Sequence, residues 1–241
     1  MTGSTKERPD DARFAVVGED GPSAEPEDAL SNVPEAELRK AVMKRAGLLA
    51  AFSFAIDGVL RTLCTQRNMK IHWVSGTAVM LVGMALNLDV ASRASVIFCV
   101  FVVLCMEVLN TALEAFVDLH VRDYARPAMV AKDAAAAAVL VMAIGAVVVL
   151  ADVLLHAWAM VAGSLDAILR TILLGVPLLT FEGVVLGVKR NLAVILPCGV
   201  LAICALSILA WFSRDEVFSL CGLGFVLSAV YARLSEPRLL R

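Results

Sequence analysis

CMEVLNTALEAFVDLHVRD, residues 105–123, sets ionisable side chains into an apolar run long enough to be part of a membrane-crossing helix. Taking Glu107 as the origin and about 100° per residue, Thr111, Glu114 and Asp118 fall within roughly 40° of it, and Asn110 lies about 60° to one side. Three carboxylates and two neutral polar groups therefore share one narrow face. A charged group at the bilayer centre costs ~2.5–3.5 kcal/mol on the mildest scale. The face must meet protein, cation or water. A stripe that merely held helices together would need one Asn or Thr, whereas three acids on one face repel one another.

The surrounding chain has the composition of a membrane protein. Of its 241 residues, 60% are hydrophobic, and the mean hydropathy is +0.82, above the roughly 45–50% apolar content of soluble domains. A net charge of −2 argues against nucleic acid as a partner, which requires a basic face. The six cysteines show no CxxC spacing and sit mostly in apolar runs, so they read as small buried hydrophobes. The opening MTGSTKERPDDARF has no apolar core of a cleavable signal peptide.

Residues 1–35 are rich in Pro, Gly, Ser, Asp and Glu, the composition of a disordered cytoplasmic tail. From about Pro34 to Thr65, Arg39, Lys40, Lys44 and Arg45 precede an apolar stretch. This pattern predicts an amphipathic helix, lying either on an anionic leaflet or on the protein's own cytoplasmic face. Six spans are expected at about 71–88, 94–119, 134–153, 168–188, 191–212 and 216–232. Basic-rich and basic-poor connections alternate along the chain, which places both termini in the cytoplasm. Trp73, Trp158 and Trp211 fall near predicted span ends, where an indole suits the membrane interface. The expected fold is an all-α integral membrane protein.

By this topology the acidic helix runs inward. Asp118 lies at the cytoplasmic surface, Glu114 ~6 Å deeper and Glu107 ~16 Å deeper, at 1.5 Å per residue. Carboxylates descending from water toward the bilayer middle could bind Mg²⁺, or one could act as general base for a hydroxyl. Lys132 and Asp133, in AKDAAAAAVL (131–140), stand at the start of the next span, where helix amides favour phosphate. They read as a charged membrane boundary or, beside the acidic stripe, as a nucleotide clamp. The chain has no GxxxxGK[ST], so phosphoryl transfer here would rely on metal and carboxylates.

TQRNMKIH (65–72), EVLNTALEAFVDL (107–119) and AKDAAAAAVL (131–140) together resemble the prokaryotic diacylglycerol kinase and undecaprenol kinase family, over about residues 40–155. The resemblance implies a bacterial inner-membrane enzyme that phosphorylates a lipid hydroxyl with Mg-ATP. It implies a homotrimer with a surface helix and three spans per subunit, with active sites at subunit boundaries. It assigns Glu107 as base, Glu114 as metal-bridging and nucleotide-side ligand, and Asn110 and Asp118 as supporting residues. Lys132, Asp133, Asp123 and Tyr124 match its nucleotide-contacting positions, and Arg67, Asn68 and His72 the block at the mouth of the first span. One position departs from the pattern: the family usually has a metal-holding glutamate where this chain has Gln66. An amide oxygen can still ligate Mg²⁺, with one negative charge fewer. The RNMKIH block resembles the undecaprenol kinase branch more than the diacylglycerol kinase branch.

The domain reading is thus a tail (1–35), a lipid kinase membrane domain (36–155), and an additional membrane domain (156–241) of about three spans. The kinase domain is expected to function without that additional domain. Glu182 is the one ionisable residue expected to lie buried within those last spans. It could pair with a cation, line a lipid pocket or snorkel to water. Two rival readings are an ion- or proton-coupled transporter and a membrane scaffold that has lost activity through Gln66. A transporter would want internal repeats, and the acidic block is not repeated in the second half.

Restoring the family's carboxylate with Gln66→Glu should lower the Mg²⁺ concentration needed for half-maximal rate. An unchanged Mg²⁺ titration would show that residue 66 does not face the metal.

Overall fold

The computed structural model describes residues 47–189, 191–213 and 215–239. The expected tail, and the part of the expected amphipathic helix before residue 47, lie outside them. The helices are α1 (Leu48–Thr65), α2 (Arg67–Ala85), α3 (Val90–His120), α4 (Arg126–His156), α5 (Trp158–Gly163), α6 (Leu165–Gly187), α7 (Leu192–Phe212) and α8 (Glu216–Leu239). No strand occurs among the described residues, and the protein is an all-α integral membrane protein. Lipid offers no partner for free backbone groups, so spanning segments must satisfy them within helices.

Six helices are long and apolar enough to cross a membrane: α1, α3, α4, α6, α7 and α8. This set differs from the sequence expectation at one place. The predicted first span at 71–88 falls on α2, which is absent from the six, while α1, expected on the membrane surface, has the length and composition of a span. The reason for the low apolarity of α2 is its position. It packs against α3 on one side and against α6 and α8 on the other, so protein encloses its middle, while Arg67 and Asn68 in its first turn are exposed. Thr77 in its middle is fully buried.

Small residues make that packing possible, as is usual where membrane helices approach closely. Gly76 and Gly83 lie on the α2 face toward α8. A Cβ on Gly83 would come within 2.6 Å of the Phe218 ring, and one on Gly76 within 2.8 Å of Phe225. The two phenylalanines, seven residues apart on an antiparallel helix, thus seat on two glycines seven residues apart. Trp73 completes the contact, its ring 4.7 Å from Phe225 and its Nε1 donating to the Phe225 carbonyl at 3.0 Å. Only 7% of Trp73 is exposed. The expectation of a membrane-interface indole is corrected here: neighbouring helices supply both the apolar contact and the acceptor. Trp158 and Trp211 are exposed.

At the end of the bundle opposite Gln66, Asp89 caps α3 by accepting from the Ala91 and Ser92 amides. The Ser92 hydroxyl, at 2.6 Å, and those amides hold its carboxyl below the usual range. Arg93 in the first turn of α3 bonds Asp215 at 2.7 Å, and Asp215 in turn accepts from the amides of Val217 and Phe218 at the start of α8.

Helix α4 leans on α3 alone among the long helices. Of its residues only Val139 is buried; Leu150, Val153 and Leu154 pack partly against the core, and Leu140, Val141, Ile144 and Val148 are exposed on an apolar surface. The same exposure revises the reading of the cysteines. Cys64 is buried, but Cys105 and Cys204 are exposed on apolar helix faces.

Gly83→Ala should lower the thermal midpoint of the detergent-solubilised protein, because overpacking a close contact costs about 1–3 kcal/mol. Gly145→Ala, where an added Cβ meets nothing within 4 Å, should leave it unchanged. Equal midpoints for the two variants would contradict the close approach of α2 and α8.

Candidate active site

The site is built on α3 because a continuous helix brings every fourth residue back to one face. Glu107 is only 2% exposed. One turn on, the Thr111 hydroxyl donates to the Glu107 carbonyl at 2.9 Å, which occupies the threonine within its own helix and leaves the carboxylate uncommitted. The Asn110 amide nitrogen donates to Glu114 Oε1 at 3.0 Å and fixes that carboxylate against the helix. Asn110 is itself buried. Further toward the end of α3, Lys132 Nζ bonds Asp118 Oδ1 at 2.8 Å and joins α3 to the first turns of α4. The stripe read from the sequence is therefore a graded series: a buried acid, a half-buried acid held by an amide, and an exposed acid held by a lysine.

Other predicted site residues surround this series without closing on it. Asp133 is exposed beside Lys132. Asp123 and Tyr124 are exposed in the connection between α3 and α4, the Tyr124 hydroxyl lying 3.9 Å from the Met129 sulfur. Gln66 is the extended residue between α1 and α2 (φ −91°, ψ 125°), and Arg67 and Asn68 are exposed in the first turn of α2. Among the described residues no hydrogen bond or ion pair links Gln66, Arg67 or Asn68 to the acidic face. His72, half-buried, comes nearer through a shared cavity.

That cavity, of about 290 Å³, lies between α2, α3 and α4. His72 and Ser75 are its polar residues. Gly76, Val100, Val103 and Val147 are among those forming its apolar walls. Val103, at one end of this lining, stands one helical turn before Glu107 on α3.

Mg²⁺ takes hard oxygen ligands, usually one or two carboxylates completed by water and substrate phosphates. Glu114, with one oxygen held by Asn110 and a second left over, fits that chemistry. Among the described residues no three His, Cys, Asp or Glu side chains gather as a metal cluster.

Two partners escaped the sequence reading, those of Glu182 and Arg233. Glu182, at 1% exposure, accepts from the Thr77 hydroxyl at 2.9 Å between α2 and α6, and among the described residues it pairs with no cation. Arg233, counted among the basic residues of the C-terminal end, has a side chain only 4% exposed and bonds Glu236 at 2.9 Å. An Arg and a Glu three residues apart late in an apolar helix are the available signal for such a pair.

With this geometry in view, the comparisons with known proteins agree on one family. The prokaryotic diacylglycerol kinase family model matches residues 53–154. A diacylglycerol kinase of Synechocystis sp. is 43% identical over 114 residues, covering 46% of this chain and 65% of that protein. The undecaprenol kinase of Bacillus subtilis is 34% identical over 94 residues, covering 39% of this chain and 76% of that protein. No solved structure matches. The site thus sits in a helical membrane protein, and the chain belongs to the prokaryotic diacylglycerol kinase family. It spans 65% of the length of the Synechocystis relative.

Lys132→Ala removes an ion pair whose members are 34% and 66% exposed, so stability should change little. A thermal or denaturant midpoint measured in detergent checks this. A much larger loss would mean that the α3–α4 pair depends on this bridge.

Proposed function

We propose that the chain is an ATP-dependent membrane lipid kinase that transfers the γ-phosphoryl group of Mg-ATP to the hydroxyl of a lipid alcohol, either undecaprenol or diacylglycerol. The kinase part is residues 36–155, in the bacterial inner membrane, with both termini cytoplasmic and active sites completed in a homotrimer. The observation that carries the reading is the buried Glu107, one helical turn beyond an apolar groove, with Asn110-held Glu114 and Lys132-held Asp118 leading from it toward the surface.

Each residue then has a task set by its surroundings. The lipid chain lies in the groove between α2, α3 and α4, and its hydroxyl meets Glu107. Glu107, without a cation partner, takes the hydroxyl proton. The hydroxyl oxygen forms its bond to the γ-phosphorus as the bond from that phosphorus to the bridging oxygen breaks, and ADP leaves. Asn110 keeps Glu114 oriented toward the phosphates. Glu114, and the amide oxygen of Gln66, would hold Mg²⁺, which when bound neutralises charge on the transferring group. Lys132 and Asp133, with Asp123 and Tyr124 in the adjoining connection, contact the nucleotide, and Asp118 sets the position of the Lys132 ammonium. Burial of Glu107 supports the base assignment further, since a dry site keeps water from competing with the lipid hydroxyl. The lack of direct contact between Gln66 and Glu114 within one chain agrees with a site assembled at a subunit boundary.

The test is phosphate transfer from radiolabelled ATP to extracted lipid by the purified protein, with undecaprenol and diacylglycerol supplied separately. Wild type should label at least one. Glu107→Gln should reduce turnover by roughly 10²–10⁴-fold, and Glu114→Gln should abolish it, while both variants keep wild-type size in detergent. Near-wild-type activity of Glu114→Gln at low Mg²⁺ would overturn the metal assignment, and labelling of neither lipid by wild type would overturn the function.

A further inference from the structure

The helices beyond residue 156 have no role in this reading, yet α8 bonds α1 at two points, Asp57 and Cys64, and is itself tied to the end of α6. Cys64, the penultimate residue of α1, gives its thiol hydrogen to the Ala232 carbonyl of α8 at 3.2 Å. Next to Ala232, Arg233 turns its guanidinium inward beside that thiol. It donates to Glu236 on its own helix and to the Val188 carbonyl at the end of α6. One turn beyond, Arg238 bonds Asp57 of α1 at 2.5 Å. Gln66, Arg67 and Asn68 come within four residues after Cys64.

We propose that the C-terminal helices are a built-in brace for the kinase site, and that Arg233 is a positioning residue fixing the corner that presents Gln66. This rests on the lipid kinase reading for its consequence, but the brace itself is a property of the fold. Gln66 is the one extended residue between two helices, and its backbone direction decides where its amide oxygen points. Its backbone carbonyl accepts from the Lys70 amide of α2 at 3.3 Å and its backbone amide donates to the Thr62 carbonyl of α1 at 2.8 Å, while its side chain makes no capping bond, so its direction follows how α1 and α2 are held against each other. The corner is defined by what grips the last turn of α1. Arg233 is suited to this because a planar guanidinium can hold a carbonyl and a carboxylate at once in fixed geometry, and here those acceptors belong to α6 and α8. A kinase unit ending at residue 155 would lose all of these contacts, together with the Thr77–Glu182 and Trp73–Phe225 bonds that seat α2. The sequence expectation of an independent core is therefore replaced by that of one joined unit.

The experiment uses the full-length chain. Arg233→Met should raise the Mg²⁺ concentration for half-maximal rate by roughly tenfold or more, the usual effect of losing a partner that orients a metal ligand, with kcat at saturating Mg²⁺ changed far less. Arg233→Lys should recover part of the loss, and Arg238→Ala, which cuts the more exposed tie, should shift Mg²⁺ dependence in the same direction to a smaller degree. Gly83→Ala serves as a stability control, since it loosens α2 against α8 away from the corner and should leave the Mg²⁺ response alone. An Arg233→Met response no different from that control at matched stability would overturn the positioning role. Independently of activity, the rate at which a maleimide modifies Cys64, followed on its peptide by mass spectrometry, should rise severalfold in Arg233→Met or, if that variant does not fold, in Arg238→Ala. Unchanged protection of Cys64 would overturn the brace even in an active kinase. Increased Cys64 reactivity in a protein that phosphorylates neither lipid would support the brace while sinking the function it is proposed to serve.

Discussion

Helix α2 carries His72, Ser75 and Thr77 through the middle of a protein whose other long helices are apolar enough to face lipid. A helix of that polarity surrounded by hydrocarbon would leave hydroxyl and imidazole groups without partners at a cost of several kcal/mol. Protein encloses its middle, with α3 on one side and α6 and α8 on the others; Thr77 finds Glu182 there, while His72 and Ser75 line the cavity beside α3 and α4. Much of the architecture derives from this enclosure. The glycines on α2 admit the Phe218 and Phe225 rings, and Glu182 lies in α6 where the Thr77 hydroxyl can reach it. Arg93 and Asp215 tie the far ends of α3 and α8, the two helices on either side of α2.

Enclosing α2 also fixes the wall against which α3 lays its acids. Acids on a membrane helix are tolerated according to depth and company, and the three on α3 show both variables. Asp118 is exposed and has the Lys132 ammonium, Glu114 is half-buried and has an amide, and Glu107 is deepest with no bonded cation among the described residues. A helix-holding role would reverse this order, placing the strongest partner at the deepest group. The gradient instead leaves the deepest carboxylate with the greatest gain from meeting a proton or a cationic centre, which is what a reacting hydroxyl beside a metal-bound phosphate provides.

Much of this was legible in the sequence because it depends on one-dimensional periodicity. The acidic stripe needed only the helical repeat, and helices α3, α4, α6 and α7 begin or end within a few residues of the expected spans, give or take the extra turns that carry polar residues into the interface. Helix α8 runs to Leu239, beyond the expected 232, because the Arg233–Glu236 pair neutralises the charges that seemed to end it. Information about neighbours was not legible. Hydropathy cannot separate a half-polar span exposed to lipid from one enclosed by protein, so α2 was placed as the first span and α1 on the surface. Trp73 looked like an interface residue for the same reason: an indole with a wet end and one bonded to a carbonyl have the same sequence signature. At the site, Glu107, Asn110, Glu114, Asp118 and Lys132 are joined by one helix and one neighbouring turn, whereas Gln66, Arg67 and Asn68 come from a corner whose placement depends on helices far along the chain.

The brace has a consequence for assembly. Faces of α2 that a shorter chain would offer to another subunit are occupied here by α6 and α8, with Trp73, Met80 and Leu81 already buried. Of the helices nearest the acidic stripe, α4 retains open surface along most of its length, with Val139 alone buried, and α3 retains the face bearing Phe98, Leu109 and Phe116. In the proposed homotrimer, a neighbouring subunit would therefore meet the α3–α4 hairpin rather than displace the C-terminal helices from α2. An intramolecular brace on one side of α2 and an intermolecular contact across α3 and α4 are thus compatible, because they use opposite faces of the same three-helix core.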